Sequence, residues 1–204
     1  MGLVAFGVLV LVAIFFAVRQ GKAQQAQIAE LASQQGWRFK PGPLGTFELR
    51  GREAGVEWVL TAKNDARSGH KSDLSLTFPN VQRWSKATVV DRRLHRLVTT
   101  GIAGKFAQLA GVADTPVGGE VVEPIWLQTR RERRYVVIGE ASQLRRWFTN
   151  EVAEQLDRFT GDECPTVVVS DREVWISCHY RSATEAQLLT PMLVELARTI
   201  IPRV

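Results

Sequence analysis

Apolar and polar positions follow three regimes along the chain. The first has no periodicity: Gly2 to Val18 is seventeen uncharged, almost wholly apolar residues ending at Arg19. A bilayer core of about 30 Å takes roughly 17–25 helical residues, so the run reaches the short end of spanning length, with Arg19 placed to snorkel. It predicts a transmembrane anchor over residues 1–18. A cleavable secretory signal would need a basic leader, and only the terminal amine precedes the run; the small residues around Gly21-Lys22-Ala23 are the one feature such a signal shares.

The second regime is weakly helical. Ile28, Leu31 and Ala32 form a modest apolar face, with Gln24 and Gln25 elsewhere around the wheel, predicting a juxtamembrane helix over 19–36 that Gly36 stops.

The third is mixed and predicts a soluble α+β domain over 37–204. Strand signals come first, at Trp37–Phe39 and Phe47–Leu49, before a turn containing Gly51 and Gly55. Val56, Trp58, Leu60 and Ala62 then alternate with polar neighbours, as do Leu74, Leu76 and Phe78 beyond a polar loop from Asn64 to Asp73. From Asp91 to Ala110 the period becomes helical. Short strands are expected at 120–123, 125–129 and 134–138. Leu144, Phe148, Val152, Leu156 and Phe159 form a helical stripe, with Thr149 or Asn150 able to cap a second helix inside it and Gly161 closing it. A hairpin turns through Ser170 to Glu173, and Ser182-Ala183-Thr184-Glu185 is a capping-box signature opening a final helix that Pro191 should kink, unless it marks the helix's true first turn. Strands paired locally, with helices between groups of them, indicate α+β rather than a repeated βαβ unit.

Charge refines this picture. Net charge is +5, distributed as +1 over 19–36, +7 over 37–110 and −3 over 111–204. Lys and Arg are retained on the cytoplasmic side of a span, so Arg19, Lys22 and Arg38 place the domain in the cytoplasm and the N-terminus outside. The basic residues that follow the anchor, Arg19, Lys22, Arg38, Lys40, Arg50 and Arg52, are the candidates for facing anionic lipid headgroups, or an acidic protein partner in their place.

Catalytic, cofactor-binding and metal-binding motifs are not found. Thr99 to Lys105 lacks the first Gly of a P-loop, and Phe106 stands where Ser or Thr would hold Mg²⁺. Cys178 and His179 are adjacent on a predicted strand and point to opposite faces. The closest approach to a ligand cluster is Asp65, His70 and Asp73 in one loop, which reads as a solvated loop. Cys164 and Cys178 are expected to be reduced and mostly buried in a cytoplasmic domain. Arg130 to Arg134 reads as a charged hairpin tip, so no nucleic-acid partner is expected.

The helix entering Gly36-Trp37-Arg38-Phe39, the segments RYVVIGEASQLRRWFTNEVAEQL and PTVVVSDREVWISCHY, and the closing Leu-rich helix resemble uncharacterised bacterial single-pass membrane-anchored proteins with a soluble α+β domain. The resemblance implies an inner-membrane setting and transfers no site residue. The function expected is that of a non-enzymatic cytoplasmic interaction module tethered to the inner membrane, with no cofactor. The alternative is a membrane-bound enzyme, or a small-molecule or lipid-binding domain, whose site is assembled from dispersed residues. Oligomeric state is not fixed by sequence.

Overall fold

Period-two alternation in the middle of the chain builds one antiparallel sheet. The computed structural model describes residues 19, 21–64, 72–91, 121–122, 135–160 and 164–201. The apolar run 2–18, most of the helical pattern 91–110, the strand expected at 125–129, the arginine run, Gly161 and the loop residues Asp65 and His70 lie outside them. Among the described residues no helix is long and apolar enough to cross a membrane.

A helix over 21–35 (α1) ends at Gly36, whose φ of 71° provides the left-handed stop. A four-stranded meander follows: β1 (Arg38–Pro41), β2 (Phe47–Glu53), β3 (Val56–Asn64) and β4 (Ser72–Pro79). Next come β5 (Ala87–Asp91), β6 (Val121–Val122), β7 (Tyr135–Gly139), α2 (Ala141–Trp147), α3 (Asn150–Asp157), β8 (Thr166–Val169), β9 (Glu173–Tyr180) and α4 (Ala183–Ile200). The sheet order is β1-β2-β3-β4-β9-β8-β5-β7-β6. The late strand β9 therefore docks beside β4, with Leu76 opposite Ile176 and Leu74 opposite Cys178.

One face of this sheet carries the core. Leu49, Trp58, Leu60, Leu74, Leu76, Val167, Val174 and Ile176 project from it into a cluster with Ile28 and Ala32 of α1, Leu144 of α2, Val152 and Leu156 of α3, and Leu189, Leu193 and Leu196 of α4. Among the described residues these four helices thus converge on a single face, a helical layer against one sheet in an α+β fold. Ser182 caps the helix, its hydroxyl accepting from the Glu185 N–H at 3.1 Å, while the Glu185 carboxylate reaches back one residue beyond the cap and accepts from the Arg181 N–H at 2.6 Å. Thr149 caps α3, so the long stripe is split in two.

Several local expectations change. Gly51 lies inside β2, opposite Trp58, and the turn is Ala54-Gly55, both at positive φ. A Cβ at Gly51 would fall within the Trp58 indole, so this glycine makes room for a ring. Pro191 sits inside α4, which continues from Ala183 to Ile200, and the Thr190 hydroxyl bonds the Ala186 carbonyl at 2.7 Å just before it. Asp91 ends a strand that the sequence did not suggest. Cys164 and Cys178 are both buried and not disulfide-bonded.

Two connections at one end of the sheet are tied together by Asn80. Its amide is buried, donates to the carbonyls of Trp84 (3.0 Å) and Ser170 (2.8 Å), and accepts from the Trp84 N–H at 3.0 Å. It therefore ties the β4–β5 connection to the β8–β9 turn.

Candidate functional surface

The meander's alternation sends its charged residues to the face opposite the helices. Arg38 and Lys40 on β1, and Glu48, Arg50 and Arg52 on β2, share it, because Arg38 stands opposite Arg50 and Lys40 opposite Glu48. Four of the six basic candidates are thus brought to one side. Two of these are neutralised there: Arg50 Nε bonds Glu48 Oε1 at 2.8 Å, and Arg52 lies 3.6 Å from Glu57. Among the described residues Arg38 and Lys40 on the edge strand β1 have no ion-pair partner, and neither has Lys63, which shares this face from β3. Arg19 and Lys22 belong to the helix start, and Lys22 is exposed.

Arg38 opposite Arg50 is a like-charge cross-strand pair, an arrangement that weakens a sheet. Arg38→Glu is expected to stabilise the fold by about 0.5 kcal/mol at low salt, with the gain shrinking as salt screens it. Urea midpoints at two ionic strengths check this; an unchanged midpoint at low salt would remove the electrostatic reading of the pair.

Away from this edge the face becomes polar and then apolar. Asp73 meets His179 directly across β4 and β9, and the Trp175 indole N–H donates to the Ser75 hydroxyl. Thr61, Thr77 and Ser177 surround that ring at neighbouring register positions. Val168, Val136 and Ile138 then complete the face toward β7, all buried. The Asp73–His179 pair was not legible from spacing, since 106 residues separate its members. Among the described residues no three His, Cys, Asp or Glu side chains come together to hold a metal.

The start of α1 forms the other notable feature. Gly21 packs on Gly45, so close that a Cβ at Gly21 would lie 3.0 Å from the Gly45 nitrogen. Gln25 Nε2 donates to the carbonyls of Gly42 (2.6 Å) and Thr46 (2.7 Å). Gln25 therefore faces the domain, because the β1–β2 turn offers backbone carbonyls at the end of the core. Tyr180 closes the same end; burial pushes its phenol above the ordinary value, against the pull of the Ser72 and Gln24 side chains. No family model, curated protein or solved structure matches the chain.

Proposed function

We propose that the protein is an interaction module held against the cytoplasmic face of a bacterial inner membrane by its apolar N-terminal run, with the charged β1–β2 side of its sheet presented to an acidic partner or to anionic headgroups. The observation that carries this reading is the seating of α1. Ile28 and Ala32 are core residues and Gly21 is fastened to the β1–β2 turn, so the helix after the apolar run belongs to the domain. Val18 and Gly21 are three residues apart, which bounds their separation at about 11 Å in any conformation. An anchor over 2–18 would therefore hold the domain at the bilayer surface without a linker.

The charged edge fits that position. Arg38 and Lys40 on β1, without an ion-pair partner among the described residues, gain about 1 kcal/mol each within a Debye length of an anionic leaflet. A protein-docking role is supported by the half-buried Trp175, which stands among Ser75, Thr77 and Ser177 on the face opposite the core, an aromatic of the kind that dominates binding energy at interfaces.

The test uses the full chain in a bacterial host. It is expected to remain in the membrane pellet after alkaline carbonate extraction, and a reporter active only in the periplasm, fused to Val204, is expected to give no signal. Release by carbonate overturns the anchor, and reporter activity overturns the cytoplasmic placement.

A further inference from the structure

The β1–β2 turn presents Leu44 to solvent at 71% exposure, the highest among the exposed large hydrophobic residues described. A single exposed leucine is common on protein surfaces and means little by itself. Its mounting is what matters here. Leu44 has φ 51°, in the left-handed region that a leucine seldom occupies, within a turn fixed from several sides. The Thr46 hydroxyl bonds the Pro43 carbonyl at 2.7 Å, the Gly42 N–H bonds the Thr46 carbonyl at 2.9 Å, and Gln25 holds both Gly42 and Thr46 from α1. Gly45 at φ 82° completes the reversal and lies against Gly21. A backbone conformation that disfavours leucine is thereby locked so that the side chain points away from the core.

The turn's position selects what it meets. It touches Gly21, which is within about 11 Å of the end of the apolar run along the chain. Lys22 and Lys40, both exposed, come from the two segments that flank it. An apolar tip with cationic neighbours suits the boundary between headgroups and acyl chains, where amphipathic elements bury their apolar side by about 5–10 Å.

We propose that Leu44 inserts into the bilayer interface next to the anchor, making the β1–β2 turn a second, shallow membrane contact that fixes the domain's orientation. This rests on the anchor reading given above, and the experiment separates the two. Cysteine is introduced at Leu44, or at Val81 as a control, in the full chain. Val81 is also exposed, and it lies at the opposite end of the sheet, about 20 Å away along the strand direction. Each variant is labelled with an environment-sensitive fluorophore and reconstituted into vesicles of phosphatidylcholine and phosphatidylglycerol; the unsubstituted protein, whose two thiols are buried, serves as the labelling blank.

Quenching by a lipid-borne spin label is expected to be about threefold stronger at position 44 than at 81, with a blue-shifted emission at 44 only, as shallow burial requires. If the protein floats with the vesicles but both labels are quenched equally, and only by aqueous iodide, the insertion is wrong and the anchor stands. If the protein fails to float, the anchor fails and the inference goes with it.

Discussion

Asn80→Ala is expected to lower stability by about 3 kcal/mol, because it strands the Trp84 N–H and the Trp84 and Ser170 carbonyls, and an unsatisfied buried polar group costs about 1–3 kcal/mol. The Asn80 side chain is 5% exposed, so water has poor access to replace it. Asn80→Asp provides a sharper control. The carboxylate can still accept from the Trp84 N–H, but it turns an acceptor toward two carbonyl oxygens that need a donor. It is therefore expected to be no more stable than the alanine variant at neutral pH, although it is nearly isosteric with the native residue. Urea denaturation followed by tryptophan fluorescence reads both. An Asn80→Asp protein as stable as the native one would show that donation to Trp84 and Ser170 contributes little.

The second large effect is expected where β2 meets β3. Trp58 is 1% exposed, stacks edge-on against Trp37 with ring centroids 5.3 Å apart, and has Gly51 across the strand from it. Trp58→Ala empties a ring-sized space, and substitutions of that kind cost about 3–5 kcal/mol. Gly51→Val fails for the opposite reason: its first side-chain carbon already overlaps the indole, and overpacking of a closed core costs about 1–3 kcal/mol. The two changes are expected not to add. In the double variant the valine occupies part of the space the indole leaves, so the pair should be less destabilised than the sum by at least about 1 kcal/mol. Strict additivity in a double-mutant cycle would sink the account of Gly51 as space reserved for Trp58.

Much of this architecture was legible in the sequence because each element announced its period. The Ser182 cap, the Thr149 cap, the Gly36 stop and the Ser170–Glu173 hairpin all rest on local chemistry, and each lies where that chemistry put it. β5 escaped notice for a physical reason. Ala87, Thr88 and Val89 are all buried, so both faces of the strand are covered and no alternation marks it. Gly51 resembled a turn residue because spacing does not reveal a ring arriving from the next strand. Gln25 counted as polar, and nothing in its own segment shows that a turn some twenty residues later would offer it carbonyls. The four basic residues of β1 and β2 stood out only for coming soon after the apolar run; that they share one face, and which of them Glu48 and Glu57 neutralise, depends on register and emerges only from pairing.

The position of β9 in the sheet sets a timetable for synthesis. β1 to β4 form by successive neighbouring pairings and need nothing downstream, yet the outer edge of β4 is completed only by residues 173–180. About 90 residues separate the two strands, and at 5–20 residues per second the ribosome takes roughly 5–20 s to supply them. Throughout that interval Leu74, Leu76 and Phe78 lie on a strand with an open edge and no α4 to cover it, the combination that invites pairing with another chain. At the far side the edge needs no such help: β1 is four residues long, carries Arg38 and Lys40, and ends in Pro41, which has no N–H to offer. The nascent protein is thus protected on the edge that stays open for good and vulnerable on the one that will close, and slowing translation between codons 80 and 172 should favour aggregation more than slowing it anywhere before β4.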